Sequence, residues 1–246
     1  MRLLVVDFDY FVPVIERPQD GDTWPLYDWG HSEAYGNGLQ SALWDIRAMG
    51  FLRHGYNLPT TSGEEVNFWS RFDIKPNAPF YVADSNVHAY APRVRRGVTD
   101  VWLYDAHHDC GYKQKLSDIF MSGKLSCEDW MIGYWLAGAK LHVRYPKWRR
   151  YAMTLEPKPN LQYKLDRKVD NGDDLPLRFD KVFVCRSGAW VPPWLDMDFV
   201  KFILRSGLPM PKKLDEVKMR KWSLDSVLEL METEAKMLQK ANELQK

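Results

Sequence analysis

Val101-Trp102-Leu103-Tyr104-Asp105-Ala106-His107-His108-Asp109 is the stretch that decides how this chain is read. An apolar run of strand type ends in Asp-x-His-x-Asp. Alternate residues of an extended segment point to one side, so Asp105, His107 and Asp109 are expected to converge where the strand gives way to a loop. Two carboxylates and an imidazole suit a divalent ion such as Mn, Fe or Zn. The plainer reading is a polar turn with solvated acids, because short motifs also match by chance.

A second acidic pair weighs against that plainer reading. Arg2-Leu3-Leu4-Val5-Val6 reads as a short strand and runs into Asp7-Phe8-Asp9. Strand ends carrying D-x-D and D-x-H-x-D meet if the two strands are neighbours in a parallel sheet. The functional crevice of an open α/β sheet lies at those carboxyl ends. Five acidic or imidazole groups massed there need cations, since unpaired buried carboxylates are costly. Taken alone, Asp7 and Asp9 also fit a Mg-dependent phosphate site or a solvated strand end.

The 246 residues suffice for one large α/β domain or two small ones; we expect one, spanning 1–246. With 45% hydrophobic and 14% aromatic residues the composition excludes disorder. The net charge of +1 gives no global field favouring nucleic acid or membrane. Eleven Trp residues point to pocket walls or an interface as well as a core. Cys110, Cys127 and Cys185 form no C-x-x-C pair, which argues against a disulfide framework or structural zinc. Met1 leads almost directly into a strand without a signal-peptide pattern. No apolar run reaches membrane-spanning length, so the expected location is cytoplasmic.

Strands are expected at 79–83, 101–104, 141–145 and 181–185, alternating with helices, which predicts an α/β fold with a mainly parallel sheet. Phe11 to Ala78 reads as an elaborated loop over the crevice, with one helix at 39–49 and Gly50 at its C′ position. Ser126 with Asp129 reads as a capping box opening a helix to about Ala139. Residues 153–180 read as loop with an edge hairpin. A helix is expected from Trp194 to Leu204. Leu224, Val227, Leu228, Met231, Ala235 and Leu238 form the apolar stripe of a terminal helix at 223–246, expected to dock on the domain.

Tyr104-Asp105-Ala106-His107-His108-Asp109 resembles the D-A-H-x-D signature of the arginase–deacetylase superfamily. Val5-Val6-Asp7-Phe8-Asp9-Tyr10-Phe11 resembles the D-x-D-x-F strand end that supplies its other metal carboxylates. The chain is most similar to a poorly characterised arginase-like branch. There a strand with an acidic or His-containing turn precedes D-x-H-x-D, as Val82-Ala83-Asp84-Ser85-Asn86-Val87-His88 does here. Trp130 through Ala139, Tyr145-Pro146-Lys147-Trp148, Val184-Cys185-Arg186-Ser187 and Val191-Pro192-Pro193-Trp194-Leu195-Asp196 extend the similarity in blocks. Two departures stand out. Asp7-Phe8-Asp9 precedes D-x-H-x-D, so the order is permuted relative to arginases, and the Gly-Asp-His-Ser motif is missing, with His88 or Ser85 nearest its place. The in-order alternative, Asp196-Met197-Asp198, sits at a helix start where acids serve capping and the dipole.

The resemblance implies a three-layer fold with helices on both faces of the sheet. It also implies a centre of one or two divalent ions, Mn foremost with Zn or Fe as alternatives, held by Asp7, Asp9, Asp105, His107 and Asp109. Asp105 and Asp7 would bridge, and Asp109, Asp9 and His107 would complete the shells. Hydrolysis of a C–N bond, amide or guanidino, through a metal-activated water follows. A proton for the leaving amine needs a histidine: His108 and His88 are the catalytic candidates, with His31 behind them. Trp24 to Tyr35 is expected in the pocket wall. The substrate would be a small molecule or a modified side chain. The basic runs at 93–96 and 147–150 are too short, at this net charge, to favour nucleic acid. The rival is a non-catalytic binding or regulatory protein on the same scaffold.

Overall fold

A strand buried on both faces reads as a continuous apolar run, and Leu3 to Val6 in β1 (Arg2–Asp7) are fully buried. In this computed structural model the described residues are 1–13, 37–112, 116–149, 156, 164–172 and 177–244. After β1 come α1 (Asn37–Arg53), β2 (Asp73–Ile74), β3 (Phe80–Ala83), α2 (Pro92–Arg95) and β4 (Asp100–Tyr104). α3 (Leu116–Ser122), α4 (Trp130–Leu136), β5 (Lys140–Tyr145), β6 (Leu165–Val169), β7 (Arg178–Phe179) and β8 (Lys181–Cys185) follow. The chain ends with α5 (Asp196–Arg205), β9 (Lys212–Lys213) and α6 (Leu224–Leu244).

Seven strands form one sheet in the order β6-β5-β4-β1-β8-β3-β9, and every pairing is parallel. β2 and β7 form a separate parallel pair. From β4 the chain steps outward to β5 and β6. From β1 it goes the other way, to β3 beyond β8. β1 and β4 are therefore neighbours whose onward connections diverge, and such a switch point opens a crevice at the strands' carboxyl ends. Alternate strand residues feed two apolar clusters. Leu3, Val5, Val101 and Leu103 pack with Val94 and Trp130. Leu4, Val6, Trp102 and Tyr104 pack with Phe68, Phe199 and Phe202. Each fully buried aliphatic side chain contributes roughly 1.5–3 kcal/mol.

Several sequence expectations need correction. α1 runs through Gly50 to Arg53, and Gly55, at φ +71°, follows it instead. The segment from Phe11 to Ala78 is not only loop: Phe68 and Trp69 are buried in the second cluster, where large aromatic surfaces repay burial. Residues 165–169 form a parallel edge strand on β5, and β7 pairs with β2, so the described residues hold no hairpin there. α4 begins four residues after Ser126, whose hydroxyl donates to Asp129 Oδ2 at 2.9 Å instead of capping. α6 packs on α1, its Val227 is buried, and its Glu234 pairs with Arg53. Most of its expected docking stripe is open, however: Leu228 is 46% and Leu238 59% exposed. Trp24 to Tyr35, with His31, lies outside the described residues. No described helix is long and apolar enough to cross a membrane.

Candidate metal centre

Both central strands end in the same local device. Asp9 N donates to Asp7 Oδ1 at 3.1 Å, and His107 N donates to Asp105 Oδ1 at 2.8 Å. An aspartate accepting the N–H two residues on makes an Asx turn, which stops the strand and curls the next residues over its end. Val6 lies opposite Tyr104 across the β1–β4 pair, so Asp7 and Asp105 follow at the same height. Convergence is thus produced by turns and not by the extended alternation expected from spacing: β4 stops at Tyr104, and Asp109 takes φ +45°. That left-handed conformation is uncommon for a non-glycine residue, though tolerated by Asp. Strain of this kind gathers at functional sites. Ser187, at φ +56° just beyond β8, is the other such residue among those described.

Asp9, Asp105 and His107 each offer a ligand atom, and these atoms lie within 4.8 Å of one another. His107 Nδ1 is 3.0 Å from Asp9 Oδ2 and 3.4 Å from Asp105 Oδ1. Asp7 and Asp109 join the group through Asn86, just past β3. Asn86 Nδ2 lies 2.7 Å from Asp7 Oδ2, 3.1 Å from Asp105 Oδ2 and 2.9 Å from Asp109 Oδ2. An amide nitrogen has two hydrogens for these three acceptors. Trp130 Nε1 donates to Asp109 Oδ2 at 2.7 Å. Asp9 Oδ2 meets His107 Nδ1 without hydrogen-bond geometry. It and Asn86 Oδ1 are both buried with no hydrogen bond. Buried oxygens without donors, set among four carboxylates, fit a divalent cation.

No family model, curated protein or solved structure matches this chain.

The chemistry of the centre follows from its own geometry. Burial pushes the carboxyls of Asp7 and Asp105 well above the ordinary range. The neighbouring Asp9 and Asp109 charges push both further, and Asp105 adds to the effect on Asp7. Burial, the largest single effect, opposes charge on Asp9 too, but His107 together with the N–H that Asp9 accepts from Ala106 holds that pKa down. The metal-free cluster therefore binds protons that a cation would displace.

Glu156 braces the turn from outside the cluster. It accepts from His108 N at 2.9 Å, from the hydroxyls of Tyr112 and Tyr145, and from Arg167 Nη2 at 2.9 Å. Burial pushes its pKa up to about 8. A carboxyl whose folded pKa is raised contributes its stability below the unfolded pKa of about 4 and loses it as pH rises. Asp7, Asp105 and Glu156 all act in this direction. Metal-free protein should therefore lose on the order of 3 kcal/mol of unfolding free energy between about pH 5 and pH 8. Asp9, Asp100, Asp166 and Asp180, whose pKa values are lowered, act oppositely, but only in more acidic solution. Denaturant unfolding with a chelator at the two pH values checks this, and a rise in stability would refute it.

His108 Nδ1 accepts from Cys110 N at 3.0 Å, its ring stacks on Tyr112, and its backbone N donates to Glu156. His88 Nε2 lies 3.3 Å from Asp215 Oδ2. Asp196 is taken up by Arg186 and Arg220, and Asp198 pairs with Lys201. Asn86, Trp130, Glu156, Arg149 and Trp190 were not singled out as site residues from sequence. Asn86 had a usable signal, a polar residue just past a strand end beside Ser85. Glu156 had none, because it reaches the site from a polar segment with no pattern of its own.

Proposed function

We propose that this chain is a metal-dependent hydrolase that cleaves an amide or guanidino C–N bond in a small molecule or a modified side chain. One observation carries the metal: buried ligand atoms of Asp9, Asp105 and His107 within 4.8 Å of one another. Asp7, Asp109 and Asn86 would supply the remaining oxygens. The oxygen-rich set favours Mn, with Zn or Fe as alternatives, as one or two ions. A bound ion would supply Lewis acidity and a water acidic enough to react near neutral pH. The bond type, and an arginase–deacetylase-like three-layer arrangement with helices on both faces, rest on the D-A-H-x-D resemblance. The parallel sheet and its two apolar clusters support that arrangement. For proton delivery His108 is the stronger of the two histidines. Its Nδ1 accepts an N–H, so the neutral ring carries its proton on Nε2, as a donor requires.

Elemental analysis of purified protein tests the reading. Stoichiometric Mn, Zn or Fe, with metal-dependent release of amine from acylated amines or guanidino compounds, is the expected result. Protein that takes up no divalent ion ends it. A second reading, a binding or regulatory protein on the same scaffold, is favoured by the open apolar stripe of α6. Bound metal without turnover on any such substrate would support it.

A further inference from the structure

The carboxylate oxygens of the centre point in two directions. Asp9 Oδ2 and Asp105 Oδ1 lie 3.0 and 3.4 Å from His107 Nδ1, in the group of residues able to hold a cation. A further oxygen from each of Asp7, Asp105 and Asp109 faces elsewhere. All three meet at one atom, Asn86 Nδ2, at 2.7, 3.1 and 2.9 Å. Asp105 thus turns one oxygen to His107 and the other to Asn86. That is the arrangement of a carboxylate shared by two cations, with an amide nitrogen standing at the second place.

We propose that the Asn86 amide fills the place of a second ion, so that the centre binds one divalent cation and Asn86 is the residue that limits it to one. This rests on the metal-dependent reading above. An amide nitrogen only donates, and at hydrogen-bond distance it presents positive partial charge to each oxygen. Three converging carboxyl oxygens need that where no ion sits between them. The amide bonds none of the atoms of Asp9, Asp105 and His107 that face one another, so the first ion keeps its ligands. Asn86 Oδ1 meanwhile stays buried without a hydrogen bond. Leaving it so costs free energy, which the three contacts of the nitrogen offset.

The amide is held where it stands. Asn86 is 2% exposed and opens the short helical turn Asn86–Tyr90. Tyr134 of α4 donates to Ala89 O at 2.8 Å, and its ring meets that of Tyr90 edge-on, 5.1 Å between centroids. Trp130, a turn earlier on α4, donates to Asp109 Oδ2. One helix therefore fixes both the turn that carries the amide and one of the amide's acceptors. On the other side Asp84, two residues before Asn86, accepts from Arg186 Nε at 2.6 Å and gives its N–H to Asp215. Backbone pinned on both sides leaves the side chain little room to yield its position to an ion.

Metal counting on protein saturated with Mn, joined to electron paramagnetic resonance, tests the proposal. Wild type should hold one Mn per chain and give the spectrum of an isolated ion. Asn86→Ala vacates the point between the three oxygens. Asn86→Asp, close to Asn in shape, exchanges the donor for a further ligand and serves where the alanine variant fails to fold. Each should raise the count from one to two, with magnetic coupling between the ions. Wild type that holds two coupled ions overturns the proposal, whether the amide swings aside or turns over to ligate. So does a folded variant whose count stays at one, or whose second ion shows no coupling and so lies elsewhere. Protein that takes up no metal sinks the hydrolase reading first and this one with it, an outcome distinct from the others.

Discussion

Asp105→Asn is expected to abolish metal binding while making the metal-free protein more stable. Asp105 is fully buried, and burial together with Asp9 and Asp109 drives its carboxyl well above the ordinary range. It is therefore a liability to the metal-free fold, tolerated where a cation compensates it. Asparagine keeps the oxygen that accepts His107 N–H, so the turn at the end of β4 survives. Its new amide can donate to Asp9, whose carboxylate has an oxygen within 4.8 Å of the Asp105 carboxylate. Asn86 then has two acceptors, Asp7 and Asp109, for its two hydrogens. Unfolding free energy with chelator present should rise by about 1–3 kcal/mol at pH 7. Metal affinity should fall by more than about 100-fold, since even a partner behind the ligand is worth 10–100-fold. Equilibrium dialysis and thermal melts measure the two. A variant that still binds metal, or whose metal-free form is less stable than wild type, would mean that Asp105 is structural.

How much of this was legible in the sequence follows from the range of each interaction. β1 and β4 announce themselves as apolar runs, and the acids closing them are local signals too. Sequence cannot show that the two strands are neighbours, because pairing is set by the whole connection order; here the metal motif itself was the clue. Spacing also gave the wrong local geometry. Alternation predicts an extended Asp105 to Asp109, whereas the Asx turn at Asp105 ends the strand at once. Asp129 shows the same limit. Its spacing from Ser126 reads as a capping box, yet its Oδ1 accepts from Gly111 N and Tyr112 N, bracing the loop after Asp109. A carboxylate 17 or 18 residues from its partners leaves no periodic trace. The apolar stripe of α6 was legible as a stripe, but what covers a stripe is a tertiary fact, and most of this one is open.

Asp196→Ala should be the most destabilising single change outside the cluster. Asp196 looked like an alternative metal ligand, but two arginines take the place a cation would have. Arg220 reaches it through its backbone N at 2.7 Å, Nε at 3.1 Å and Nη2 at 2.5 Å, and Arg186 through Nη1 at 3.2 Å. All three side chains are nearly inaccessible to water. Among the described residues, removing the carboxylate leaves Arg220 hydrogen-bonded to the carbonyls of Gly188 and Val191, while Arg186 keeps Asp84. Burial already lowers the Arg220 pKa, and Arg186 lowers it further, so the deserted charge has little to stabilise it. Breaking a buried pair from one side costs about 3–5 kcal/mol, a large share of the total for a domain. Denaturant unfolding should show that loss, while Asp198→Ala, which removes only a surface pair with Lys201, should change stability by less than about 1 kcal/mol. Asp196→Ala/Arg220→Met should recover part of the loss, because an apolar side chain leaves no stranded charge. The same substitution reaches the metal centre indirectly: Arg220 holds the carbonyls on either side of Trp190, whose ring packs on His107. Metal affinity should therefore weaken in Asp196→Ala although no ligand has changed, and an affinity equal to wild type would show that the 186–191 loop does not set the position of His107.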